Sequence, residues 1–347
     1  MFECILATCS GYGALQITPT VISLGMRFGW VDRPGARKQH HIPTVRVGGI
    51  GIALGLMIAF LGLFFVEGAV SSESKSILVA LMIGSLLSFA IGITDDIRGL
   101  SPIARLALQA GVTCIVWSLG IRIEVLPIPM FGPLPLGWLG LPVTFLWLAG
   151  VSNAVNWLDG LDGLATGTVA IAAAMLSIVC VQLDCPLEAT LALSLSTSLL
   201  GFLYYNSRPA KLFMGDGGAY LIGFLLSSLA VTGPMSHATS GAILWIPYLI
   251  LSVPILDMLY VIISRMNEGK SPFYPDRRHL HHRLLDFGYS YEATVNHVYA
   301  FTAISGGLAI YMAGVRWVAI ASIALMIVIF TWNLVRFSRF FPTAQRS

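Results

Sequence analysis

The residues best suited to chemistry in this chain are five aspartates: Asp95 and Asp96, Asp159 and Asp162, and Asp216. Adjacent carboxylates repel, which raises the proton affinity of one. Such a pair can hold a divalent cation or keep one member as a base near neutral pH. In N-A-V-N-W-L-D-G-L-D-G-L-A, residues 153–165, Asn153, Asn156, Asp159 and Asp162 recur every third residue. On a helix or a helical turn that spacing gathers them roughly on one face. A calcium loop fits poorly, because its ligands recur every second residue and end in a Glu. In F-M-G-D-G-G, residues 213–218, a glycine-rich turn offers N–H groups to phosphate beside a carboxylate suited to Mg²⁺. The five aspartates therefore point to a metal-assisted site that handles phosphate.

Cations accompany them. In S-P-F-Y-P-D-R-R-H-L-H-H-R-L, residues 271–284, His279, His281 and His282 alternate with Arg277, Arg278 and Arg283. Anion binding fits this patch better than zinc, which would want a nearby Cys or further acidic ligands. Ser101 and Pro102 suit the N-cap and first position of a helix. Arg105 then lies one turn in and needs an anionic partner. Asp257 is a further carboxylate within an apolar stretch, placed to pair with a cation of the 265–293 loop or to serve the site directly. Arg37, Lys38 and His40 could meet an anionic substrate or anchor the chain on lipid headgroups.

The elements that position these residues are membrane helices. Of 347 residues, 56% are hydrophobic and only 11% charged, and the mean hydropathy is +0.81. Soluble domains carry about 25% charged residues, so the composition excludes a water-soluble enzyme. A net charge of +3 is too small and scattered for nucleic acid. The five cysteines show no metal spacing and no disulfide framework. The fold class expected is an all-α polytopic membrane protein with about eleven transmembrane helices. They fall near 4–26, 47–67, 76–94, 103–120, 139–156, 163–183, 187–206, 212–232, 242–264, 294–314 and 317–337. Alternate loops and the C-terminal tail hold 17 of the 20 Lys and Arg. The positive-inside rule then puts the N-terminus outside, the C-terminus in the cytoplasm and every acidic cluster at the cytoplasmic face. Residues 121–140 read as a short strand pair or irregular cap. The chain reads as a single domain, 1–347, with 265–293 as its large cytoplasmic loop.

Together the motifs resemble the polyprenyl-phosphate N-acetylhexosamine-1-phosphate transferase family, from Asp32 to about Asp286. D-D-x-x-x-L-S matches Asp95 to Ser101, N-A-x-N-x-x-D-G-L-D-G-L-A matches 153–165, and H-x-H-H-R-L matches 279–284. F-M-G-D-x-G-S matches 213–219 except that Ala219 replaces Ser. The related phospho-MurNAc-pentapeptide translocases carry H-H-H, an aromatic residue and Glu, where this chain has Leu280 and Arg283. The resemblance implies that undecaprenyl phosphate attacks the β-phosphate of a UDP-N-acetylhexosamine, most commonly UDP-GlcNAc, releasing UMP. A UDP-muramoyl-pentapeptide donor, and a transporter or flippase of anionic lipid or sugar, are the alternatives. A receptor that merely binds nucleotide sugars would need neither the Asp pair nor a metal.

The resemblance also implies roles. Asp216 and Asn156 would hold Mg²⁺, with Mn²⁺ as the substitute. Asp95 and Asp96 would position or deprotonate the lipid phosphate or complete the metal shell. Asp159 and Asp162, with Asn206 and Lys38, would hold the nucleotide. Arg105, His279, His281, His282 and Arg283 would grip the pyrophosphate. The expected setting is the inner (plasma) membrane, in initiation of cell-envelope polysaccharide synthesis, with a homodimer left open.

Overall fold

The computed structural model describes residues 1–32, 43–72, 74–128, 132–236, 243–274 and 276–323. Lys38 and most of the eleventh expected span lie outside them. Twelve helices are formed among the described residues: α1 (Phe2–Phe28), α2 (Gly49–Phe65), α3 (Ser74–Arg98), α4 (Pro102–Ser118), α5 (Gly140–Leu158), α6 (Leu164–Gln182), α7 (Pro186–Asn206), α8 (Gly215–Ala230), α9 (Ile246–Ile250), α10 (Ser252–Asn267), α11 (Leu280–Asp286) and α12 (Tyr291–Met312). Local chemistry sets many of the ends. Ser101 accepts the Ala104 N–H at 3.2 Å and Pro102 opens α4, as its sequence requires. Ser290 does the same for α12 through the Ala293 N–H at 3.1 Å. Gly29, at φ 73°, turns the chain out of α1.

Helices stand at the first ten expected spans, and the protein is a helical membrane protein. Among the described residues, however, length and apolarity alone qualify only five: α3, 137–158, α6, α7 and the run from α8 to Met235. A sixth appears if α9 and α10, bent by 70° at their junction, count as one. The count falls short of eleven partly because most of the eleventh expected span lies outside the described residues and partly because two helices are short. Helices α2 and α4 stop at 17 residues, about 26 Å at 1.5 Å per residue. The eighth expected span, by contrast, keeps its length through a π-helical turn, Val231–Met235, with Pro234 inside it. Two short antiparallel pairs interrupt the all-α expectation. β1 (Val31–Asp32) pairs with β2 (Thr44–Val45), and β3 (Val125–Ile128) with β4 (Gly132–Pro135). The second is the strand pair expected within 121–140.

Helix α8 is the centre of the bundle. Every residue from Gly217 to Ala230 is buried, with α2, α3 and α5 around it and α6 and α7 behind. Polar side chains bind neighbouring helices through backbone carbonyls, the cohesion expected where hydrocarbon surrounds the bundle. Trp147 Nε1 donates to Ser227 O at 3.0 Å, Thr197 Oγ1 to Ala7 O at 2.6 Å and Ser196 Oγ to Ala170 O at 2.9 Å.

The approach to α8 is stitched to the loop before α2. Phe213 N–H donates to Val45 O at 2.7 Å, Gly48 N–H to Phe213 O at 3.0 Å and Gly49 N–H to Met214 O at 2.8 Å. This ladder sets Arg46 against the first turn of α8. Gly215 makes the approach possible. Its φ is +73°, and a Cβ there would lie 2.0 Å from the Arg46 carbonyl oxygen. Gly215→Ala therefore combines a left-handed backbone cost of about 1–2 kcal/mol with a backbone clash. It should lower the unfolding temperature of the detergent-solubilised protein by several degrees. An unchanged transition would show that the ladder is not under this constraint.

Candidate active site

The loops after α3, α5, α7 and α10 and before α2 and α8 meet at one end of the bundle. Asp96 organises the meeting. Its side chain is 0% exposed. Oδ1 accepts from Arg46 Nη2 at 2.8 Å, from Arg46 Nε at 3.2 Å and from the Asp216 N–H at 3.1 Å. Oδ2 accepts the Gly217 N–H at 3.0 Å. A carboxylate of α3 thus caps the N-terminus of α8, where free N–H groups and the helix dipole favour negative charge. The sequence suggested a base or metal ligand, but these partners leave Asp96 turned inward on the scaffold.

Its neighbour has a different task. Asp95 Oδ1 accepts the Leu100 N–H at 2.7 Å and so closes the α3–α4 turn. Oδ2 takes Arg105 Nη1 at 2.9 Å, the anionic partner that Arg105 required. Arg105 Nη1 also approaches the Tyr220 hydroxyl at 3.4 Å.

Asp216 faces α5. Its Oδ1 accepts from Asn156 Nδ2 at 2.6 Å, and it lies within electrostatic reach of Asp95 and Asp96. Asp159 follows the end of α5. Burial, then the charges of Asp216, Asp96 and Asp162, push its carboxyl up from 3.8 to about 7. A group near neutrality, as the carboxylate cluster implied, is thus found at Asp159. Asp162 accepts the Ala210 N–H at 3.0 Å and donates its own N–H to the Tyr291 hydroxyl. It ties the α7–α8 loop and the start of α12 to the α5–α6 turn.

Asn206 departs from its expected role. It is buried, with Oδ1 accepting from Gly163 N–H at 3.2 Å and Thr166 Oγ1 at 2.6 Å, and Nδ2 donating to Leu212 O at 3.0 Å. With these three internal partners, it holds the two loops together.

The histidine segment closes the other side. Asp257 of α10 accepts the Leu280 N–H at 2.6 Å on Oδ1 and contacts His279 Nδ1 at 2.8 Å through Oδ2. It caps α11 as Asp96 caps α8, and so takes the pairing with the loop that its position suggested. Trp157 joins this loop to α5, with its ring edge-on to His279 at 5.7 Å and under the Arg265 guanidinium at 5.1 Å. His281 is 1% exposed, and neither ring nitrogen has a hydrogen-bond partner among the described residues. It packs so closely on the α5–α6 turn that a Cβ on Gly160 would lie 2.3 Å from its Nε2.

The patch is less cationic than its composition suggested. Burial, then His282 and His279, pull His281 down to about 3, and burial and Arg277 pull His282 down as well. His281 is therefore neutral at physiological pH. Arg278 is engaged with Glu268 at 2.6 Å and with Ser264 Oγ at 2.8 Å. Arg265 forms a two-point pair with Asp276, both contacts at 3.0 Å. Arg283 lies over Tyr260 at 4.4 Å, and Arg277 is exposed with no ion pair among the described residues.

The structure thus gathers Asp95, Asp96, Asn156, Asp159, Asp162, Asp216, Arg105 and the 279–283 segment at one end of the bundle. Sequence reasoning missed Arg46, Trp157, Tyr220 and Tyr291. Their partners are remote in the chain, and none stands in a recognisable spacing. Among the described residues no three His, Cys, Asp or Glu side chains form a ready-made metal cage. Mg²⁺ does not need one, because it keeps several waters and binds through one or two carboxylates plus substrate phosphates. Asp216 with the amide oxygen of Asn156, reached by turning the amide, is a hard-oxygen donor set that fits it.

Residues 78–234 match the model of glycosyl transferase family 4. A Bacillus subtilis protein named "Probable undecaprenyl-phosphate N-acetylglucosaminyl 1-phosphate transferase" is 34% identical over 316 residues, covering 90% of this chain and 86% of that one. The Mycobacterium tuberculosis decaprenyl-phosphate N-acetylglucosaminephosphotransferase is 33% identical over 317 residues, 83% of this chain and 76% of that one. A Synechococcus phospho-N-acetylmuramoyl-pentapeptide-transferase is 34% identical over 298 residues, 81% and 83% of the two chains.

The position of Asp159 has a measurable consequence. Its folded pKa, about 7, lies above the ordinary value of 3.8, so ionising it works against the fold. That penalty grows as pH rises between the two values and levels off above the higher one. In metal-free protein, Asp159→Asn should raise the unfolding temperature more at pH 8 than at pH 5. Equal shifts at both pH values would place this carboxyl in ordinary contact with water.

Proposed function

The chain belongs to glycosyl transferase family 4, and we propose that it transfers N-acetylglucosamine 1-phosphate from UDP-GlcNAc to undecaprenyl phosphate, releasing UMP. One observation carries the reading most directly. Asp216 and Asn156 meet at the start of α8, beside Asp159 and across the α5–α6 turn from His281. Two phosphate-bearing substrates can be held there with their charge balanced, and phosphoryl transfer is mostly positioning and electrostatics. An oxygen of the lipid phosphate forms a bond to the β-phosphorus of the donor as the bond to the bridging oxygen breaks, and UMP leaves.

The residues divide the work. Arg105, oriented by Asp95, faces phosphate charge. Asp96 and Arg46 keep α8 aligned so that Asp216 points at the site. Asp159 is poised to hold or give up a proton near neutral pH. Neutral His281 offers a donor and an acceptor to a donor-substrate group, and Arg277 and Arg283 offer positive charge at the rim. Mg²⁺, held by Asp216 and Asn156, would neutralise phosphate charge.

Two relatives of similar identity carry different donors in their names, so the donor rests on local residues. The H-L-H-H-R run, whose Leu280 and Arg283 depart from the H-H-H, aromatic, Glu pattern of the translocases, favours a UDP-sugar over the muramoyl-pentapeptide. The charge asymmetry of the loops supports eleven spans, an outer N-terminus and a cytoplasmic site in the inner membrane. The carboxylates gather at one boundary and not at mid-membrane in broken repeats, which argues against a transporter.

Purified protein given undecaprenyl phosphate, Mg²⁺ and a panel of UDP-N-acetylhexosamines should release UMP only with lipid, metal and UDP-GlcNAc together. No UMP with any donor, from folded protein, would overturn the reading. Asp216→Asn should lower kcat by 100-fold or more, and near-normal turnover at saturating Mg²⁺ would remove it as the metal ligand. His281→Ala should raise KM for the UDP-sugar more than KM for the lipid, and equal effects would contradict its place on the donor side.

A further inference from the structure

A second polar step lies below the carboxylates, deeper in the bundle. Gln109 of α4 is only 7% exposed. Its Oε1 accepts from Asn153 Nδ2 of α5 at 2.9 Å, and the same Nδ2 donates to Ala149 O at 2.7 Å. These contacts fix the amide, since turning Gln109 would set two NH₂ groups against each other. Gln109 Nε2 is left buried with no hydrogen-bond partner among the described residues.

The place is unusual for an orphan donor. Gln109 stands seven residues into α4, about 10 Å along the axis. Arg105 precedes it by one turn on the same face of α4, and Asn156 follows Asn153 on the same face of α5. The two oxygens of Asp95 are taken by Leu100 and Arg105. An unpaired buried amide costs about 1–3 kcal/mol and marks function when it persists inside a membrane bundle.

We infer that Gln109 is a binding residue for the phosphate of the lipid acceptor: its Nε2 donates to a phosphate oxygen, one turn below Arg105. The inference rests on the transferase reading above. A nucleotide sugar reaches the carboxylates from water, whereas a polyprenyl phosphate carries its headgroup to them from the hydrocarbon. A neutral N–H donor suits that position, because it contacts phosphate without the cost of a second charge in an apolar wall. Asn153, the one polar residue of the 153–162 series with no assigned role, aims the Gln109 amide.

Gln109→Met removes the donor and keeps the length, and Gln109→Glu keeps the shape and reverses the interaction. With both substrates varied independently, Gln109→Met should raise KM for undecaprenyl phosphate at least tenfold and leave KM for the UDP-sugar within twofold. It should unfold at the same or a higher temperature, since an unpaired polar group is gone. Gln109→Glu should be weaker still toward the lipid. An unchanged lipid KM would overturn the assignment. So would a rise in both KM values together with a lower unfolding temperature, which marks a structural role. A rise in the UDP-sugar KM alone would move the contact to the donor phosphate. If Gln109→Met does not fold, Gln109→Asn, which withdraws the amide by one methylene, must show the same KM split. Turnover by the unaltered protein in the same assay separates these outcomes from failure of the functional reading itself.

Discussion

A buried carboxylate at the head of a buried helix is the interaction on which the rest depends. Helix α8 enters the bundle with its first N–H groups unpaired and its dipole pointing at the site. Asp96 meets both demands from a neighbouring helix, and Arg46 balances its charge. The arrangement fixes three things together. Helix α3 is held against α8, the loop before α2 is held across both, and Asp216 is turned toward Asn156. Only Asp96 is sealed from water, so removing the partly exposed Arg46 would leave a buried carboxylate with the two α8 N–H groups alone to balance it. Asp96 therefore serves the site through geometry.

The same device recurs at Asp257. A carboxylate from α10 caps the short helix α11 and holds His279, much as Asp96 caps α8 and holds Arg46. Helix α11 is seven residues long, too short to be stable without external support. The anchor explains how a brief segment in a polar loop keeps His281 pressed on the α5–α6 turn. The loop's remaining charges are largely used in folding it: Arg265 with Asp276, Arg278 with Glu268. What is left for ligands is a neutral, buried imidazole flanked by Arg277 and Arg283. The segment reads as a shaped wall with charge at its rim.

Polar groups are thus sorted by depth. Paired and capping carboxylates lie at the boundary, Arg105 with Asp95 and Tyr220 just inside, and the Gln109–Asn153 amides deeper still. Charge gives way to neutral donors as water recedes, which follows the rising cost of burying a charge.

Much of this was legible in the chain itself. Apolar runs long enough to cross hydrocarbon had to become helices, because only helices satisfy their own backbone there. Ser101 and Pro102 had to begin α4, and an arginine one turn later had to find an anion. Those outcomes are local or follow from the solvent, so the sequence determines them. The division of labour among the carboxylates was not legible. Asp95 and Asp96 look alike in sequence, yet one orients Arg105 and the other is sealed under α8. Asn206 stands among motif residues but is spent on Gly163, Thr166 and Leu212. Asp159 titrates near neutrality because packing buries it and because Asp216 and Asp96 arrive from other helices. The decisive partners of Asp96, Asn206 and Asp159 are remote in the chain, and the outcome depends on which oxygen remains free once they have arrived. The sequence by itself settled that the chain is a helical membrane protein and singled out the carboxylates that gather at one end of its bundle. Tertiary packing decided which of them hold the scaffold and which remain to meet a substrate, because hydrogen-bonding capacity is finite and non-local contacts consume it.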